Sequence, residues 1–498
     1  MKLDQVFQHL KWQRVSGPAT AEITGLALDS RQVRSGYLFV ALKGSVTDGR
    51  RFIGDAIERG ATAIASNEPV AGVPDSVACI VLEPSPENLA AIAHSFHGQP
   101  ACRLIGVTGT NGKTTVTYFL RHLLERAGLA TAIIGTVVYE FGARSIPADR
   151  TTPDLFQLYR LIHQMTEAGA RAVAMEISSH ALDQLRAGFL ELDAAIFTNL
   201  TQDHLDYHET MEEYYQAKRK LFNRLKKTAD VAVPAVVGVD DAYGRRLAEE
   251  LDRAGIRATT CATAPDVRAA LRAEQITLSS NGCRFDMVWL DERWPGVTLN
   301  QLGRHNVANY LCAVAAARQF GARMDDMAAA AATLPAAPGR LEFVPNNLGI
   351  TIVVDYAHTD DALANVLACL RELTRGGLWV VFGCGGDRDS SKRPRMGAVA
   401  ERLADHVVLT SDNPRTEEPL AIIRAIRAGM VREPEAMLTD RREAIALACR
   451  QAKPGDVVLL AGKGHETYQE INRVYHASDD RALARDIAAA LEEAHVHA

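Results

Sequence analysis

The chain has 498 residues, of which 47% are hydrophobic and 23% charged, and its formal net charge is -6. This length is too great for one compact core, so the composition predicts a soluble globular protein of several domains. Charged residues of both signs are scattered along the chain, whereas a general nucleic-acid binder concentrates basic residues on one face. The composition therefore argues against a nucleic-acid partner.

The N-terminal stretch MKLDQVFQHLKWQR lacks the apolar segment of a secretory signal peptide. No run approaches the roughly 20 apolar residues that span a bilayer. The eight cysteines form no CxxC pair of the kind that zinc ribbons and thioredoxin-like sites use. We therefore expect a cytoplasmic protein with reduced cysteines and no membrane partner.

Three segments follow one another along the chain. The first, residues 1–99, alternates strand-like and helix-like stretches, and HGQPAC (97–102) carries the glycine and proline of a linker. The second spans 100–336, and the third spans 337–498. In the third segment, helix-period sequence separates four apolar runs, as expected for a parallel sheet with crossover helices. We predict an α/β fold of three domains.

A glycine-rich loop opens the second segment in GVTGTNGKTTVTYFLRHLLERAG (106–128), between an apolar strand and an amphipathic helix. Gly109 and Gly112 would let backbone N–H groups approach a polyphosphate at the helix N-terminus. Lys113 can reach the β- and γ-phosphates, and Thr114 offers a hydroxyl to Mg²⁺. This context predicts a nucleoside triphosphate site.

Carboxylates and histidines follow in the same segment. The apolar run in RAVAMEISSH ends at Glu176, where a carboxylate beside a phosphate loop can hold Mg²⁺. Three interpretations stay open for TQDHLDYH: a turn that caps the next helix, a transition-metal site on His204 and His208, or Mg²⁺ coordination by one histidine. Lys218 lies in the charged stretch EEYYQAKRKLF, and residue types alone predict a solvated lysine there.

Each of the four apolar runs in the third segment ends in polar residues. These endings are Asp355-Tyr356-Ala357-His358, Gly383-Cys384-Gly385-Gly386-Asp387-Arg388, Asp412-Asn413-Pro414-Arg415 and Gly462-Lys463-Gly464-His465-Glu466. In open parallel sheets, ligands bind beyond the carboxyl ends of the strands. Arg388 and Arg415 stand against Asp412 and Glu466, which suits a ligand with both carboxylate and ammonium groups. The sequence predicts an amino-acid pocket at this edge.

Taken in chain order, these stretches resemble the Mur ligase family. The matching motifs are GTNGKTT, MEISSH, TNLTQDHLDYH, GRHNVANYLCA, VDYAH, FGCGGDRD, DNPR and GKGHE. The resemblance implies an N-terminal domain for a UDP-sugar-peptide, a P-loop type central ATPase domain and a Rossmann-like C-terminal domain for an amino acid. It implies ATP- and Mg²⁺-dependent addition of meso-2,6-diaminopimelate to the D-glutamyl γ-carboxylate of UDP-N-acetylmuramoyl-L-alanyl-D-glutamate, in peptidoglycan precursor synthesis. We expect a monomer.

The resemblance also assigns binding residues, position by position in the matching motifs. The UDP-substrate residues would be Leu28, Ser30, Ser45, Val46, Thr47, Thr151, Thr152, Ser178, Gln184 and Arg186. The ATP residues would be Gly109, Thr110, Asn111, Gly112, Lys113, Thr114, Thr115, Asn306, Asn309, Arg340 and Asp355. The diaminopimelate residues would be Arg388, Asp412, Asn413, Pro414, Arg415, Gly462 and Glu466. The metal ligands would be Thr114, Glu176, His204 and Lys218, the last as a carbamate.

The catalytic residues implied by the resemblance are Lys113, Glu176, His204, Lys218 and His358. A carbamate would turn Lys218 into a carboxylate-like group, which contradicts the solvated lysine expected above. His358 would orient or deprotonate the attacking amine, although helix capping explains it nearly as well. The L-lysine-adding relatives usually lack the arginine of DNPR, and the fork of Arg415 suits the extra carboxylate of diaminopimelate.

Two positions depart from the family pattern, and three alternatives to the function stay open. Asp360 stands where the family commonly has proline in YAHTPDAL, and Arg150 precedes Thr151 and Thr152 where the family has asparagine. The alternatives are an L-lysine-adding ligase, a folylpolyglutamate synthetase with the same GTNGKT loop, and a non-catalytic ATP-binding protein. The DNPR loop and the N-terminal domain argue against the folate enzyme.

Overall fold

The computed structural model describes residues 1–43, 48–83, 85–148, 150–187, 189–226, 235–279 and 282–496. The chain divides into two compact units. One comprises Met1–Gly106, Leu129–Asp193 and Lys220–Lys227, and the other Val107–Gly128, Ala194–Arg219 and Thr228–Ala498. Within the described ranges, no helix is long and apolar enough to cross a membrane.

The helices and strands alternate along the chain. The N-terminal part contains α1 (Leu3–Val6), β1 (Gln13–Ser16), β2 (Gly25–Ala27), β3 (Tyr37–Val40), α2 (Ile53–Glu58), β4 (Ala61–Ser66), β5 (Ala78–Val81) and α3 (Pro86–His97). The middle part contains β6 (Arg103–Thr108), α4 (Lys113–Arg126), β7 (Thr131–Ile134), β8 (Val138–Phe141), β9 (Arg144–Pro147), α5 (Leu155–Glu167), β10 (Ala172–Glu176), α6 (Ser179–Asp183), β11 (Ala194–Phe197), α7 (Leu205–His208), α8 (Met211–Arg219), β12 (Ala235–Gly238), α9 (Ala242–Arg253), β13 (Ala258–Ala262), β14 (Leu271–Ser279), β15 (Gly282–Trp289), β16 (Glu292–Leu299), α10 (Arg304–Gln319) and α11 (Met324–Ala330). The C-terminal part contains β17 (Glu342–Val344), β18 (Thr351–Asp355), α12 (Asp360–Leu373), β19 (Leu378–Phe382), α13 (Lys392–Leu403), β20 (His406–Thr410), α14 (Pro419–Arg427), β21 (Ala436–Leu438), α15 (Arg441–Gln451), β22 (Val457–Ala461), β23 (Tyr468–Ile471), β24 (Val474–Ala477) and α16 (Asp480–Val496).

The first unit contains a five-stranded sheet in the order β1-β5-β4-β3-β2. Its strands β2 to β5 run parallel, and β1 is antiparallel to β5. Phe39, Ala56 and Ile64 are buried in its core. Helix α3 begins with Pro86 after the capping hydroxyl of Ser85 and ends before a glycine in the predicted linker, as helices of this kind do. The same unit holds β10, β7, β8 and β9 in this order, with β10 and β7 parallel.

The second unit contains β16-β15-β14-β13-β12-β11 in this order. Strands β11 to β14 pair in parallel, and β15 and β16 extend the array as antiparallel strands. Helices α4 and α10 pack against each other. The predicted strand, loop and helix around the glycine-rich loop are therefore confirmed as β6, residues 109–112 and α4.

The C-terminal sheet of the second unit has the order β17-β18-β22-β19-β20-β21, with β18 to β21 parallel and β17 antiparallel at one edge. Alternate side chains are buried on opposite faces: Val353 and Val380 pack under α12, α13 and α14, and Val354 and Val381 pack under α15 and α16. Strands covered on both faces explain the continuous apolar runs in the sequence. The predicted α/β class is confirmed.

Candidate functional site

The phosphate loop requires glycine at two positions. Gly109 has φ +147°, and a Cβ there would lie 1.9 Å from the Thr198 hydroxyl. Gly112 occupies the N-cap of α4 with φ +88°, and a Cβ there would lie 2.2 Å from Asn309 Oδ1. Side chains at these positions would fill the loop and strain the backbone. The loop therefore leads directly into the N-terminus of α4, where the N–H groups of the first turn can bind an anion, while the N–H groups of Thr110 and Asn111 donate to Asn199.

Two lysines converge on this loop. Lys113 Nζ donates to the carbonyl oxygens of Gly109 at 3.0 Å and Thr110 at 2.7 Å, and Lys218 Nζ donates to the same Gly109 oxygen at 2.7 Å. Lys218 is 1% exposed, so the prediction of a solvated lysine is wrong. Burial, together with the charge of Lys113, lowers the pKa of the Lys218 amine well below its usual range.

Three basic side chains surround the Asp203 carboxylate near the start of α7. His204 Nε2 lies 3.4 Å from the Asp203 carboxylate, and the corresponding distances from His358 Nε2 and Lys392 Nζ are both 3.9 Å. Although burial opposes the effect, the charges of His204 and Lys392 lower the pKa of Asp203 below its usual range. A buried, ionised carboxylate thus joins the middle segment to α12 and α13 within the second unit.

His358 does not cap α12. Thr359 is the N-cap residue, and its hydroxyl accepts the N–H of Ala362 at 3.1 Å, so the capping interpretation of His358 is wrong. His358 Nδ1 lies 2.8 Å from the carbonyl oxygen of Tyr356, which can only accept, so Nδ1 carries the proton. Burial lowers the pKa of His358 to about 4, so the ring is neutral near pH 7 with Nε2 as an acceptor.

The structure also bears on the other two interpretations of TQDHLDYH, helix capping and a transition-metal site. His204 is the N-cap residue of α7, but its side chain makes no capping bond. The buried ring of His208 packs against Tyr214, with centroids 5.2 Å apart. Across the described ranges, no group of three or more His, Cys, Asp or Glu side chains could hold a metal ion. The histidine pair therefore gains no support as a transition-metal site.

A cavity of about 370 Å³ lies in the second unit beside the phosphate loop. Of the residues predicted for ATP, it is lined by Asn111, Gly112, Thr114, Thr115, Asn306, Asn309, Arg340 and Asp355, and not by Gly109, Thr110 or Lys113. Arg340 Nη2 lies 3.4 Å from the Thr114 hydroxyl, and its guanidinium stands over the Tyr356 ring. Burial raises the pKa of the Asp355 carboxyl, which accepts the N–H of Leu341 at 2.7 Å.

Several lining residues were not predicted from the sequence. Asp240 and Asp241 follow β12, and Thr263 follows β13, at the carboxyl ends of parallel strands. Asp361, in the first turn of α12, accepts the side-chain amide of Asn111 at 3.0 Å. The signal was present in VGVDDAYG, where an apolar run ends in two aspartates, as in the runs of the third segment.

In the first unit, five of the ten residues predicted for the UDP-substrate lie around the carboxyl end of β10. The Thr152 hydroxyl donates to the Glu176 carbonyl at 2.9 Å and accepts the N–H of Ser178 at 3.1 Å. Arg186 donates to the Thr152 carbonyl at 3.3 Å and also bonds the Gln184 side chain. The structure thus brings Thr152, Ser178, Gln184 and Arg186 together. Thr151 is 3.1 Å from the hydroxyl of Thr136, whose backbone N–H donates to Glu176 at 2.9 Å.

Leu28 and Ser30 lie in the N-terminal part of the same unit, directly after β2. Leu28 is half-buried and Ser30 is buried. Hydrogen bonds from Arg31 lower the pKa of Asp29 between them, and the charge of Arg150 contributes to this lowering. The loop after β2 is therefore within electrostatic reach of the residue before Thr151. Ser45, Val46 and Thr47 lie outside the described residues.

The residues predicted for the amino-acid pocket lie at the carboxyl edge of the C-terminal sheet, within the second unit. Asp412, Asn413 and Pro414 are buried, Gly462 is buried after β22, Arg415 is half-buried and Arg388 is exposed. Asn413 Nδ2 donates to Glu466 Oε2 at 2.8 Å, and Lys463 Nζ lies 3.1 Å from the same oxygen. Arg415 Nη1 donates to the Gly386 carbonyl at 2.7 Å. Hydrogen bonds connect Asp412, Asn413 and Glu466 directly, and Glu470 links Asn413 to Arg415.

Three domain models of one family match successive parts of the chain. Residues 22–97 match the model of the Mur ligase family catalytic domain, residues 107–317 that of the Mur ligase middle domain, and residues 339–464 that of the Mur ligase glutamate ligase domain. UDP-N-acetylmuramoyl-L-alanyl-D-glutamate--2,6-diaminopimelate ligase of Geobacter metallireducens is 43% identical, with 99% of each chain covered. The ligase of the same name from Geobacillus kaustophilus is also 43% identical, with 97% of this chain and 99% of the relative covered.

A solved structure of a UDP-N-acetylmuramoyl-L-alanyl-D-glutamate--2,6-diaminopimelate ligase matches with a TM-score of 0.65 at 33% identity, covering 99% of both chains. The three matched domain models and the fold of this relative agree with the predicted α/β fold of three domains. The chain belongs to the Mur ligase family.

Proposed function

We propose that the chain is the ATP-dependent ligase that joins meso-2,6-diaminopimelate to the D-glutamyl γ-carboxylate of UDP-N-acetylmuramoyl-L-alanyl-D-glutamate, in peptidoglycan precursor synthesis. The names of the full-length relatives support the reaction. The observation that carries the choice of amino acid is Arg415, a half-buried guanidinium at the strand edge where the pocket is expected. We also propose a cytoplasmic monomer, and the eight buried, free cysteines suit a reducing compartment.

ATP would occupy the cavity of the second unit, with its phosphates at the loop. The backbone of Gly109 and Gly112 and the N-terminus of α4 would hold the phosphate oxygens. Lys113 would turn from the loop carbonyls to the γ-phosphoryl group, where it neutralises charge that develops in the transfer. Asn306 and Asn309 would hold the nucleoside, together with Arg340 and Asp355.

Mg²⁺, which would neutralise the phosphate oxygens when bound, fits a small set of side chains. Of the predicted ligands, those that lie in the second unit would hold it: Thr114, His204 and Lys218 as a carbamate, with phosphate oxygens and waters as further ligands. The observation that supports the carbamate is the convergence of Lys113 and Lys218 on one carbonyl oxygen. Two ammonium groups repel each other there, whereas a neutral amine with a lowered pKa is the form that adds CO₂.

The reaction would proceed in two displacements. The γ-carboxylate of the substrate attacks the γ-phosphorus of ATP, the bond to ADP breaks, and an acyl phosphate forms. The amine of diaminopimelate then attacks the acyl carbon and expels phosphate as the amide forms. His358 Nε2, the unprotonated ring nitrogen, would accept the proton that the amine loses. The UDP-substrate itself would be held by the cluster of Thr151, Thr152, Ser178, Gln184 and Arg186, with Leu28 and Ser30 near its uridine.

The test compares ADP release with meso-diaminopimelate and with L-lysine, for the wild type and for Arg415→Ala. Arg442→Ala removes an exposed arginine of the same domain and serves as the control. We expect release with diaminopimelate in the wild type and the control, and its loss in Arg415→Ala. Release with lysine that persists in Arg415→Ala would favour the L-lysine-adding alternative. ADP release that needs no amino acid, or its survival in Lys113→Ala, would contradict the ligase.

A further inference from the structure

The β-hairpin of β23 and β24 is hydrogen-bonded to the loop that carries Arg415. The backbone N–H of Arg415 donates to the carbonyl of Glu470 at 3.0 Å, and the N–H of Asn472 donates to the Arg415 carbonyl at 2.7 Å. The N–H of Glu470 donates to Asn413 Oδ1 at 2.9 Å. Strand β23, which contains Glu470, is therefore tied to the loop by its own backbone. These bonds hold the backbone of Glu470 beside Arg415.

The two side chains form an incomplete pair. Arg415 Nε donates to Glu470 Oε2 at 3.2 Å, and Arg415 Nη1 is used by the carbonyl of Gly386. Among the residues that the structure describes, Arg415 Nη2 and Glu470 Oε1 have no hydrogen-bond partner. The side chains are 22% and 18% exposed, so both remaining groups are partly screened from water. A donor and an acceptor of opposite charge thus stand side by side at the pocket.

The cluster contains two other carboxylates, and both already have partners within the chain. Asp412 is buried, and its Oδ1 accepts the N–H of Asn413 at 2.6 Å. Glu466 Oε2 receives bonds from Asn413 at 2.8 Å and from the buried Lys463 ammonium at 3.1 Å, and its Oε1 lies 3.5 Å from the Tyr356 hydroxyl. Lys463 already neutralises this carboxylate. Among the described residues, Glu470 forms an ion pair with Arg415 alone, and the Nη2 donors of that guanidinium remain.

We propose that Glu470 is a specificity-determining residue that binds the distal ammonium of diaminopimelate while Arg415 Nη2 binds the distal carboxylate. This inference rests on the proposed function and adds a residue to it. The distal end of diaminopimelate carries an ammonium and a carboxylate on one carbon, which matches the adjacent acceptor and donor. L-lysine lacks the carboxylate at that end, and L-2-aminopimelate lacks the ammonium. The pair would therefore select against both.

The test measures the KM for meso-diaminopimelate and the inhibition constant of L-2-aminopimelate in wild type and Glu470→Gln. The amide keeps the shape and the bond to Arg415 but removes the charge. A charge-assisted hydrogen bond in a partly exposed pocket corresponds to about a tenfold change. We expect the KM for diaminopimelate to rise about tenfold, and the inhibition constant of aminopimelate to stay within about twofold. Glu433→Gln removes one exposed carboxylate of the same domain and should change neither value.

Three results would overturn the inference: an equal rise for both compounds, which would mean that Glu470 only holds Arg415; a fall in the KM for diaminopimelate, which would make Glu470 a competitor for Arg415; and no change in either value. Failure of the proposed function has a different signature. In that case the wild type itself would release no ADP on addition of diaminopimelate, whatever residue stands at 470.

Discussion

Gly112 and Gly128 flank helix α4 and give a matched pair of glycine substitutions. Both have positive φ, +88° and +82°. An alanine at either position pays about 1–2 kcal/mol for the left-handed backbone, partly offset by the lower entropy of its unfolded chain. Only at Gly112 would the new Cβ meet another atom: Asn309 Oδ1, at 2.2 Å, whereas at Gly128 nothing lies within 4 Å.

The consequence of this difference is a loss of nucleotide affinity in one variant alone. Asn309 is buried, lines the cavity and donates to Asn306 Oδ1 at 3.2 Å, so its displacement by Gly112→Ala breaks that bond and reshapes the pocket wall. The lost bond and the changed wall together correspond to about a tenfold or larger rise in the Kd for ADP. Gly128→Ala should show a similar backbone cost with unchanged affinity.

Calorimetric titration with ADP gives the affinity, and thermal unfolding gives the stability of each variant. We expect both variants to unfold at a lower temperature than the wild type, and Gly112→Ala alone to bind ADP weakly. Equal ADP affinity in the two alanine variants would refute the assignment of this cavity to the nucleotide.

Three further predictions address other parts of the chain. Lys218→Met should abolish ADP release yet leave the thermal midpoint at about pH 7 unchanged or higher, because it removes a buried amine; retained turnover would exclude a catalytic role. Burial lowers the pKa of His97 to about 4, whereas the same side chain in the unfolded chain has a pKa of about 6.5. Between these two values the unfolded chain binds more protons, so the free energy of unfolding decreases as the pH is lowered, by up to about 1.4 kcal/mol per pH unit. Thermal midpoints at about pH 7 and about pH 5 should therefore differ less in His97→Phe than in the wild type, and an equal difference would contradict this. Arg441 and Asp480 form an ion pair that is almost fully buried, so Arg441→Met should destabilise the C-terminal sheet by about 3–5 kcal/mol in denaturant titration, and adding Asp480→Leu should restore most of it; a neutral single variant would be inconsistent.

The C-terminal sheet could be predicted from sequence because its signals are local. Each buried parallel strand is a short apolar run, and each run is followed by polar residues that share one edge once the strands pair in parallel. Strand β20, His406–Thr410, contains the apolar run Val407-Val408-Leu409 and ends just before Asp412-Asn413-Pro414-Arg415. The same logic placed Glu176 at the end of β10.

Other features depend on contacts that the local sequence does not contain. Lys218 lies in a charged stretch, and its burial follows from packing of α8 against the phosphate loop, where its Nζ lies 4.5 Å from the centroid of the Tyr214 ring. Asp361 reaches Asn111 across 250 residues of sequence. The pairing of Glu470 with Arg415 needs the hairpin to fold back onto the loop. Contacts between residues this far apart leave no periodicity or spacing in the sequence from which they could be predicted.

The most direct test of the proposed ligase is the mass of its product in a competition. The wild type would be incubated with ATP, UDP-N-acetylmuramoyl-L-alanyl-D-glutamate and equal amounts of meso-diaminopimelate and L-lysine. Mass spectrometry of the UDP-sugar-peptide then reports which amino acid was added. We expect a single product that carries diaminopimelate, formed in step with ADP. A product that carries lysine, or ADP formed without any new UDP-sugar-peptide, would contradict it.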